Sequence, residues 1–491
     1  MVSDIIRGWT TERQMAAGAA PGPVPRRQVA TDATRGGASR RRVLISGSQV
    51  AAGALLAACR MPFQGGAGGR PDDAGPVRAP TQPIAVSIWH SWDRVRTAPF
   101  EKVLSDFQAR HPTIRPEHTV LTPGLEVLQK LQAAAAGGTP PDIFNPYRSD
   151  LPLLAEMGLP LALDTHVRRD RFDLTQFYDS EVGSSRYGGK LYLLPCIPHN
   201  VEGLVFYGRS LVRAAGLDFD RSPPATWTEL EAGARALTKQ GAEGLTQIGL
   251  PMSVTYRSLR AWLSTNDAPL LSTDGRKALL ADQKAVDVVQ WMVDFRKRVN
   301  GGREAQVAFA QRIGGGQGSP ITTGFQAMAL HNPGVWFNIK SVQPDFDMGL
   351  FLIPVKPGAR LALPATFLSW GYGIAAGSRQ PDAAWLLSKY IAADEAGAGW
   401  FFLEQNRPSP VKRFNDNPDY RQRLPQWDVV LRYMASAKAD TVLPVDAEIV
   451  RTLNEATAAI DQEKVAPAQG LRTANEQVQR ILDDYWARAG R

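Results

Sequence analysis

A regular alternation of short apolar runs and amphipathic segments begins at residue 84 and constrains the fold of this chain more than any other feature. The apolar runs have the two-residue period of strands, and the segments between them have apolar residues at the spacing of a helix face. This order at this spacing predicts an α/β fold with parallel strands. The five segments, in the order strand, helix, strand, helix, strand, are residues 84–89, 100–107, 114–120, 125–136 and 142–144.

The loops that follow the predicted strands are candidate ligand-binding segments. In doubly wound α/β sheets, ligands bind beyond the carboxyl ends of the strands. Residues 89–91 (Trp-His-Ser) and 145–148 (Asn-Pro-Tyr-Arg) occupy such positions.

The later part of the chain has a strand pattern at 204–207 and a helix start at Thr226, where Glu229 completes a capping box. Long helices are predicted at about 283–299, 381–393, 446–462 and 468–487.

The sequence has no signature of a catalytic, phosphate-binding or metal site. It contains no Gly-x-Ser-x-Gly, His-Glu-x-x-His, Walker or Gly-x-Gly-x-x-Gly motif, and the six histidines are scattered. We therefore expect no cofactor, no metal and no enzymatic activity. Carboxylate pairs for glycoside hydrolysis are assembled only by folding, so a secreted glycan-active enzyme stays an alternative.

Aromatic residues in predicted loops are the positive signal for function. Flat aromatic rings can stack on the apolar faces of sugars, while Asn, Arg, His and Asp side chains hydrogen-bond the hydroxyl groups. The alternative role for any aromatic ring is packing in the core. We assign this packing role to four tryptophans in predicted helices, Trp227, Trp291, Trp385 and Trp486. The loop aromatics are Trp89, Trp92, Tyr147, Trp262, Trp336, Trp370 and Tyr372, with His90, Asn145, Arg148, His199 and Asn200 close in sequence.

The N-terminal segment has the layout of an export signal. Arg40, Arg41 and Arg42 precede sixteen uncharged residues over 43–58, and this stretch is too short for a membrane-spanning helix. It ends at Cys59 in a sequence that resembles a bacterial lipobox, and the arginine cluster resembles a twin-arginine signal. We expect a signal peptide over 1–58, lipidation of Cys59 and a flexible linker over 59–83.

The net charge of +8 does not indicate a nucleic-acid partner. Residues 1–58 contain eight arginines and three acids, so they carry +5 of the total, and the remaining chain is nearly balanced. Cys196 is the only other cysteine. With Cys59 lipidated it has no disulfide partner, and we expect it to pack as a small apolar residue.

From residue 84 onward the sequence resembles the extracellular solute-binding proteins of bacterial ABC importers, in the carbohydrate-binding branch that includes maltose-binding protein. Each matching segment is weak alone, but their order and spacing are specific. The segments include Trp89, 111–114, 131–138, 141–143, 187–195, 204–216, 224–230, 325–328, 334–336, 352–354, 371–374 and 383–385.

The resemblance implies a two-lobe periplasmic-binding-protein fold of the type II kind, in which the chain crosses a hinge three times and the ligand binds in a cleft between the lobes. By analogy, the crossings fall near Pro198, Leu352 and Asp394. The implied lobe 1 is 84–198 plus 352–394, and lobe 2 is 199–351 plus 395–491.

The resemblance also implies a function and a set of ligand contacts. The function is that of a monomeric, lipid-anchored receptor on the extracytoplasmic side of the membrane, which captures a mono- or oligosaccharide and delivers it to an ABC permease. A non-sugar solute such as a polyol phosphate, polyamine or peptide is the alternative. Relatives often have Gly where this chain has Trp370, which makes Trp370 a candidate specificity residue. The implied contacts are Trp89, His90, Ser91, Asn145, Tyr147, Arg148, His199, Asn200, Trp336, Trp370, Tyr372 and Arg407.

Overall fold

The computed structural model describes residues 75–122, 125–314 and 319–490. The signal peptide, Cys59 and most of the linker predicted from the sequence lie outside these residues. The strands are β1 (Ile84–His90), β2 (Ile114–Val120), β3 (Ile143–Phe144), β4 (Arg186–Tyr187), β5 (Lys190–Leu191), β6 (Leu193–Pro195), β7 (Leu204–Gly208), β8 (Lys239–Gly241), β9 (Gly244–Gln247), β10 (Met328–His331), β11 (Met348–Leu352), β12 (Leu363–Pro364), β13 (Gly371–Ile374) and β14 (Ala437–Lys438).

Helices surround the strands along the whole described chain. They are α1 (Thr97–Arg110), α2 (Leu125–Ala136), α3 (Leu151–Glu156), α4 (Asp164–Asp170), α5 (Asp179–Gly183), α6 (Arg209–Ala214), α7 (Trp227–Leu237), α8 (Tyr256–Leu263), α9 (Gln283–Asn300), α10 (Gly302–Ile313), α11 (Gly334–Val342), α12 (Pro381–Ala393), α13 (Trp400–Glu404), α14 (Pro418–Arg423), α15 (Trp427–Ala435), α16 (Asp446–Asp461) and α17 (Pro467–Ala489).

A five-stranded mixed sheet with the order β2-β1-β3-β13-β6 forms the centre of the first lobe. β1 pairs in parallel with β2 and β3, whereas β13 pairs antiparallel with β3 and β6. The α/β prediction is therefore confirmed. Pro116 lies in β2 at the sheet edge, where a residue without an N–H group is tolerated.

A three-stranded antiparallel sheet with the order β10-β7-β11 forms the centre of the second lobe. All five residues of β7 are buried, as expected for a central strand that is covered on both faces. The capping box predicted at the start of α7 is present, because the Thr226 hydroxyl accepts from the Glu229 N–H and the Glu229 carboxylate accepts from the Thr226 N–H.

Two separate hydrophobic cores define the lobes, and the chain passes between them three times. The first passage falls between Ile197 and Val201, around Pro198. The second falls between Phe367 and Trp370. The third falls between residues 414 and 420, since Phe414 packs in the first core and Tyr420 in the second.

The second and third passages lie later in the chain than the sequence analysis placed them. Ile353 continues the second lobe past Leu352, because its N–H donates to the Gly203 carbonyl at 2.9 Å. The chain stays in the first lobe past Asp394, because the Phe401 ring packs edge-on against Trp92 with centroids 4.7 Å apart. Both differences arise from long-range packing.

Candidate functional site

Two of the predicted ligand contacts, Arg148 and His199, belong to a buried polar network beside the first passage. Arg148 forms an ion pair with Glu181, and its Nη2 donates to the Ile197 carbonyl at 2.9 Å. The Nδ1 atom of His199 lies 3.2 Å from Glu181 Oε1, and its Nε2 lies 3.2 Å from the Tyr433 carbonyl oxygen. These side chains connect the two lobes at the hinge, so they are occupied by the protein itself.

Glu181 is the centre of this network and is fully buried. Burial alone would raise the pKa of its carboxyl group, but the charge of Arg148 and the hydrogen bonds from His199 hold the pKa below its ordinary value. The carboxylate therefore stays ionised and keeps both partners in place.

His90, Trp92 and Tyr372 also pack within the first lobe. The Nδ1 atom of His90 accepts from the Trp92 N–H, and its Nε2 lies 3.0 Å from His118 Nδ1. Burial, with a smaller contribution from His118, lowers the pKa of His90 to about 3, so the ring is neutral. Trp92 Nε1 donates to the Tyr372 hydroxyl at 2.8 Å. His90 and Tyr372 are two of the predicted ligand contacts, and both side chains are buried in the first lobe.

The predicted tryptophans divide between packing and partial exposure. Trp262 lies inside α8 at 1% exposure, so its assignment to a loop was wrong. Trp336 lies in α11 at 4% exposure and packs in the second core, and Trp370 packs edge-on against Trp92 in the first. Trp89, at the end of β1, is partly exposed.

Four polar or aromatic residues of the predicted set lie at or beside the two loops and the first passage. Tyr147 and Asn200 are partly exposed, and the Asn200 backbone N–H donates to the Phe367 carbonyl at 3.1 Å. Asn145 is buried and donates from Nδ2 to the Gly371 carbonyl at 3.1 Å. The hydroxyl of Ser91 is buried and has no hydrogen-bond partner among the described residues.

Cys196 packs in the first core, where it is fully buried and free. Burial raises the pKa of its thiol to about 12, so the thiol is protonated. This agrees with the packing role expected from the sequence.

Two acidic residues that the sequence analysis did not single out lie on opposite lobes, near enough for the charge of one to act on the other. Asp150 ends the single turn of helix that follows β3, and Asp446 is the first residue of α16. Both are partly exposed, and neither carboxylate has a hydrogen-bond partner among the described residues. Burial and the charge of Asp446 raise the pKa of Asp150 to about 7. Burial is also the main cause that raises the pKa of Asp446 to about 6.

Polar and aromatic side chains of the second lobe surround Asp446. Tyr256 begins α8 and packs edge-on against Phe367, with ring centroids 5.7 Å apart. Arg260, one turn later, donates to Asp440 at 2.5 Å, and its charge lowers the pKa of Asp446. We use the term cleft for the region between the lobes that is bounded by Asp150, Asp446, Tyr256 and the three passages.

An open depression of about 460 Å³ lies elsewhere, between α7 and α9. Trp227 and Trp291 stack in its wall with centroids 4.4 Å apart. It shares no residue with the cleft. Across residues 75–122, 125–314 and 319–490, no group of three or more His, Cys, Asp or Glu side chains is arranged to hold a metal ion. In the same residues no helix is long and apolar enough to cross a membrane.

The chain belongs to the bacterial extracellular solute-binding protein family, which it matches over residues 92–398. Its fold is similar to that of an ABC substrate-binding protein from Listeria monocytogenes in complex with cycloalternan, with a TM-score of 0.69 and 17% identity over 82% of this chain and 100% of that one. For the cyclic alpha-maltosyl-1,6-maltose binding protein of Arthrobacter globiformis the TM-score is 0.65 and the identity 19%, over 82% of this chain and 100% of that one. For the maltotriose-bound MalE domain of Bdellovibrio bacteriovorus the TM-score is 0.65 and the identity 17%, again over 82% of this chain and 100% of that one.

Proposed function

We propose that the protein captures a carbohydrate in the cleft and delivers it to the permease of an ABC importer. The observation that carries this proposal is the pair of carboxylates, Asp150 and Asp446, whose charges interact from opposite lobes. Carboxylates accept hydrogen bonds from several hydroxyl groups at once, and a sugar presents hydroxyl groups around its rim. The sugars bound by the proteins of similar fold support the same class of ligand.

Partly exposed aromatic residues of both lobes complete the proposed site. Trp89 and Tyr147 lie on the loops after β1 and β3, and Tyr256 lies on α8. Their rings supply apolar faces for the C–H surfaces of a sugar. We retain Ser91, Asn145 and Asn200 from the sequence-based set as polar members of the site.

The two-lobe arrangement gives the proposed ligand a mechanical role. A ligand that contacts Asp150 and Asp446 together binds the closed arrangement of the lobes better than an open one, and so shifts the population toward closure. The closed form is the state that a permease would recognise. All these roles are binding roles, and we propose no catalytic residue.

A thermal-shift screen with a panel of neutral and acidic mono- and oligosaccharides tests the proposal. A ligand that binds only the native state raises the melting temperature, by an amount that grows with its concentration. We expect at least one sugar to do so, and we expect Asp446→Asn to remove most of the shift. Asp179→Asn is the matched control, because its side chain is 97% exposed. A shift produced only by polyamines or peptides would overturn the carbohydrate assignment, and turnover of an oligosaccharide would overturn the assignment as a binding protein.

We also propose attachment to the membrane through a lipid at Cys59. A diacylglycerol group supplies two acyl chains, which is sufficient for stable anchoring. Cys59→Ala should release the protein into the soluble fraction, as measured by fractionation and immunoblotting. Continued membrane attachment of the variant would count against the lipobox.

A further inference from the structure

Arg407 is a buried cation without an anionic partner. The residue is only 7% exposed, and its buried Nε atom has no hydrogen-bond partner among the described residues. Its main chain is nevertheless fixed, since the backbone N–H donates to the Phe402 carbonyl at 3.0 Å and the carbonyl accepts from the Tyr420 hydroxyl at 2.8 Å. The side chain is therefore held in place while its charge is left uncompensated.

The guanidinium group lies where the two lobes meet. The backbone of Arg407 follows the first-lobe helix α13, whereas its Nη2 atom lies against Gly334 at the start of α11 in the second lobe. A Cβ atom on Gly334 would lie 1.9 Å from this Nη2. The glycine thus leaves the space that the guanidinium occupies.

A second arginine stands beside Arg407, but its charge is compensated. Arg96 Nη1 lies 3.3 Å from Asp93 Oδ1, and its Nη2 donates to Asn338 Oδ1 at 3.2 Å. Burial, and then the charge of Arg96, lower the pKa of Arg407 to about 9. Arg407 is therefore still charged at neutral pH, and its positive charge at this contact between the lobes has no anionic counterpart.

We propose that the carbohydrate bound by this protein carries a carboxylate, as a uronic acid residue does, and that Arg407 binds this carboxylate. The inference rests on the proposed function and adds the charge of the ligand to it. An Arg guanidinium matches a carboxylate in planar, two-bond geometry. One uncompensated cation balances one carboxylate. A phosphate group with nearly two negative charges would exceed the single charge of Arg407.

The test is calorimetric titration of the purified protein with galacturonate, glucuronate and mannuronate oligosaccharides and with the methyl ester of each. The ester keeps the shape of the sugar and removes the charge. We expect one acid to bind at least about 30-fold more tightly than its ester, the ratio typical of a desolvated charge pair. Glycerol 3-phosphate tests whether a phosphate is the source of the negative charge, and maltotriose represents neutral sugars.

Two variants separate a ligand-binding role of Arg407 from a structural one. Arg407→Gln should abolish the preference for the acid over its ester, whereas Arg451→Gln, which removes a charge from an exposed helix face, should leave it intact. Because the charge of Arg407 has no partner in the protein, Arg407→Gln should also leave the melting temperature of the ligand-free protein unchanged or raise it. If Arg407→Gln does not fold, Gly334→Ala displaces the guanidinium and should reduce the preference in the same direction.

The outcomes are distinct. Tight binding of an acid, lost in Arg407→Gln, supports the proposal. Equal affinity for acid and ester, or binding of maltotriose alone, overturns it and leaves the carbohydrate function standing. Binding of glycerol 3-phosphate alone overturns both the carboxylate assignment and the sugar assignment, and the absence of binding by every compound in the set also counts against both.

Discussion

Replacing Asp150 with Asn should stabilise the ligand-free protein at pH 8. The Asp150 carboxylate is crowded by protein, faces the charge of Asp446 and accepts no hydrogen bond from a described residue, so its ionisation costs free energy in the folded state. Asn has nearly the same shape and no charge. A residue kept at such a cost is expected to serve ligand binding, since function and stability are often in conflict at binding sites.

The size and sign of the effect follow from the pKa. The folded-state pKa of Asp150 is about 7, above its ordinary value of 3.8, so between these values the folded protein binds more protons than the unfolded chain. The free energy of unfolding therefore falls as pH rises through this interval, and the loss persists above pH 7. The full interval corresponds to about 4 kcal/mol, and coupling to Asp446 reduces it to about 2–4 kcal/mol. For a lobe of this size, Asp150→Asn should raise the melting temperature by about 5–15 °C at pH 8.

Differential scanning calorimetry at pH 5 and pH 8 measures this effect. At pH 5 the folded wild type is protonated but its unfolded chain is already largely ionised, so only about 1–2 kcal/mol of the loss has accrued and the variant should exceed the wild type in melting temperature by less than half of the difference seen at pH 8. Asp179→Asn, on the exposed surface, should change neither value. Destabilisation by Asp150→Asn at both pH values would refute the reasoning, because it would mean that the carboxylate makes a stabilising contact.

Three further outcomes are expected. Glu181→Gln should destabilise the protein by about 3–5 kcal/mol, because it breaks a buried ion pair. Thermal unfolding measures this with Asp179→Asn as the control, and equal melting temperatures of the two variants would contradict it. Trp336→Ala should lower the free energy of unfolding by about 3–5 kcal/mol, because the ring is buried in the second core. Chemical denaturation tests this. Loss of affinity for the sugar without loss of stability would return Trp336 to the ligand site. Affinity for a neutral sugar such as maltotriose should rise between pH 5 and pH 8 as Asp150 and Asp446 ionise and become better acceptors. Titration at three pH values measures this, and a flat profile would contradict it.

The elements of the fold could be predicted where the determinants are local. The strand period at β1, the edge proline in β2 and the capping box at Thr226 are each set by a few neighbouring residues. The second and third passages between the lobes could not be predicted in this way. Their positions depend on contacts such as Phe401 on Trp92, which join residues far apart in the sequence.

The sequence indicates the loops that carry the candidate site, but it does not indicate the partners of the side chains on them. The loops after β1 and β3 do reach the region between the lobes, as the rule for the carboxyl ends of strands requires. Arg148, however, is neutralised by Glu181, which nothing near Arg148 in the sequence indicates. Asp150 resembles an ordinary helix-end acid until folding places Asp446 opposite it.

The most direct test of the central claim is isothermal titration of the protein with the sugar panel, in parallel for the wild type and for the double variant Asp150→Asn, Asp446→Asn. The two-lobe site predicts a saturable, one-to-one isotherm with at least one carbohydrate and no measurable binding by the double variant, which should still fold. Equal affinity of the two proteins for the same sugar would contradict the assignment of the cleft as the binding site.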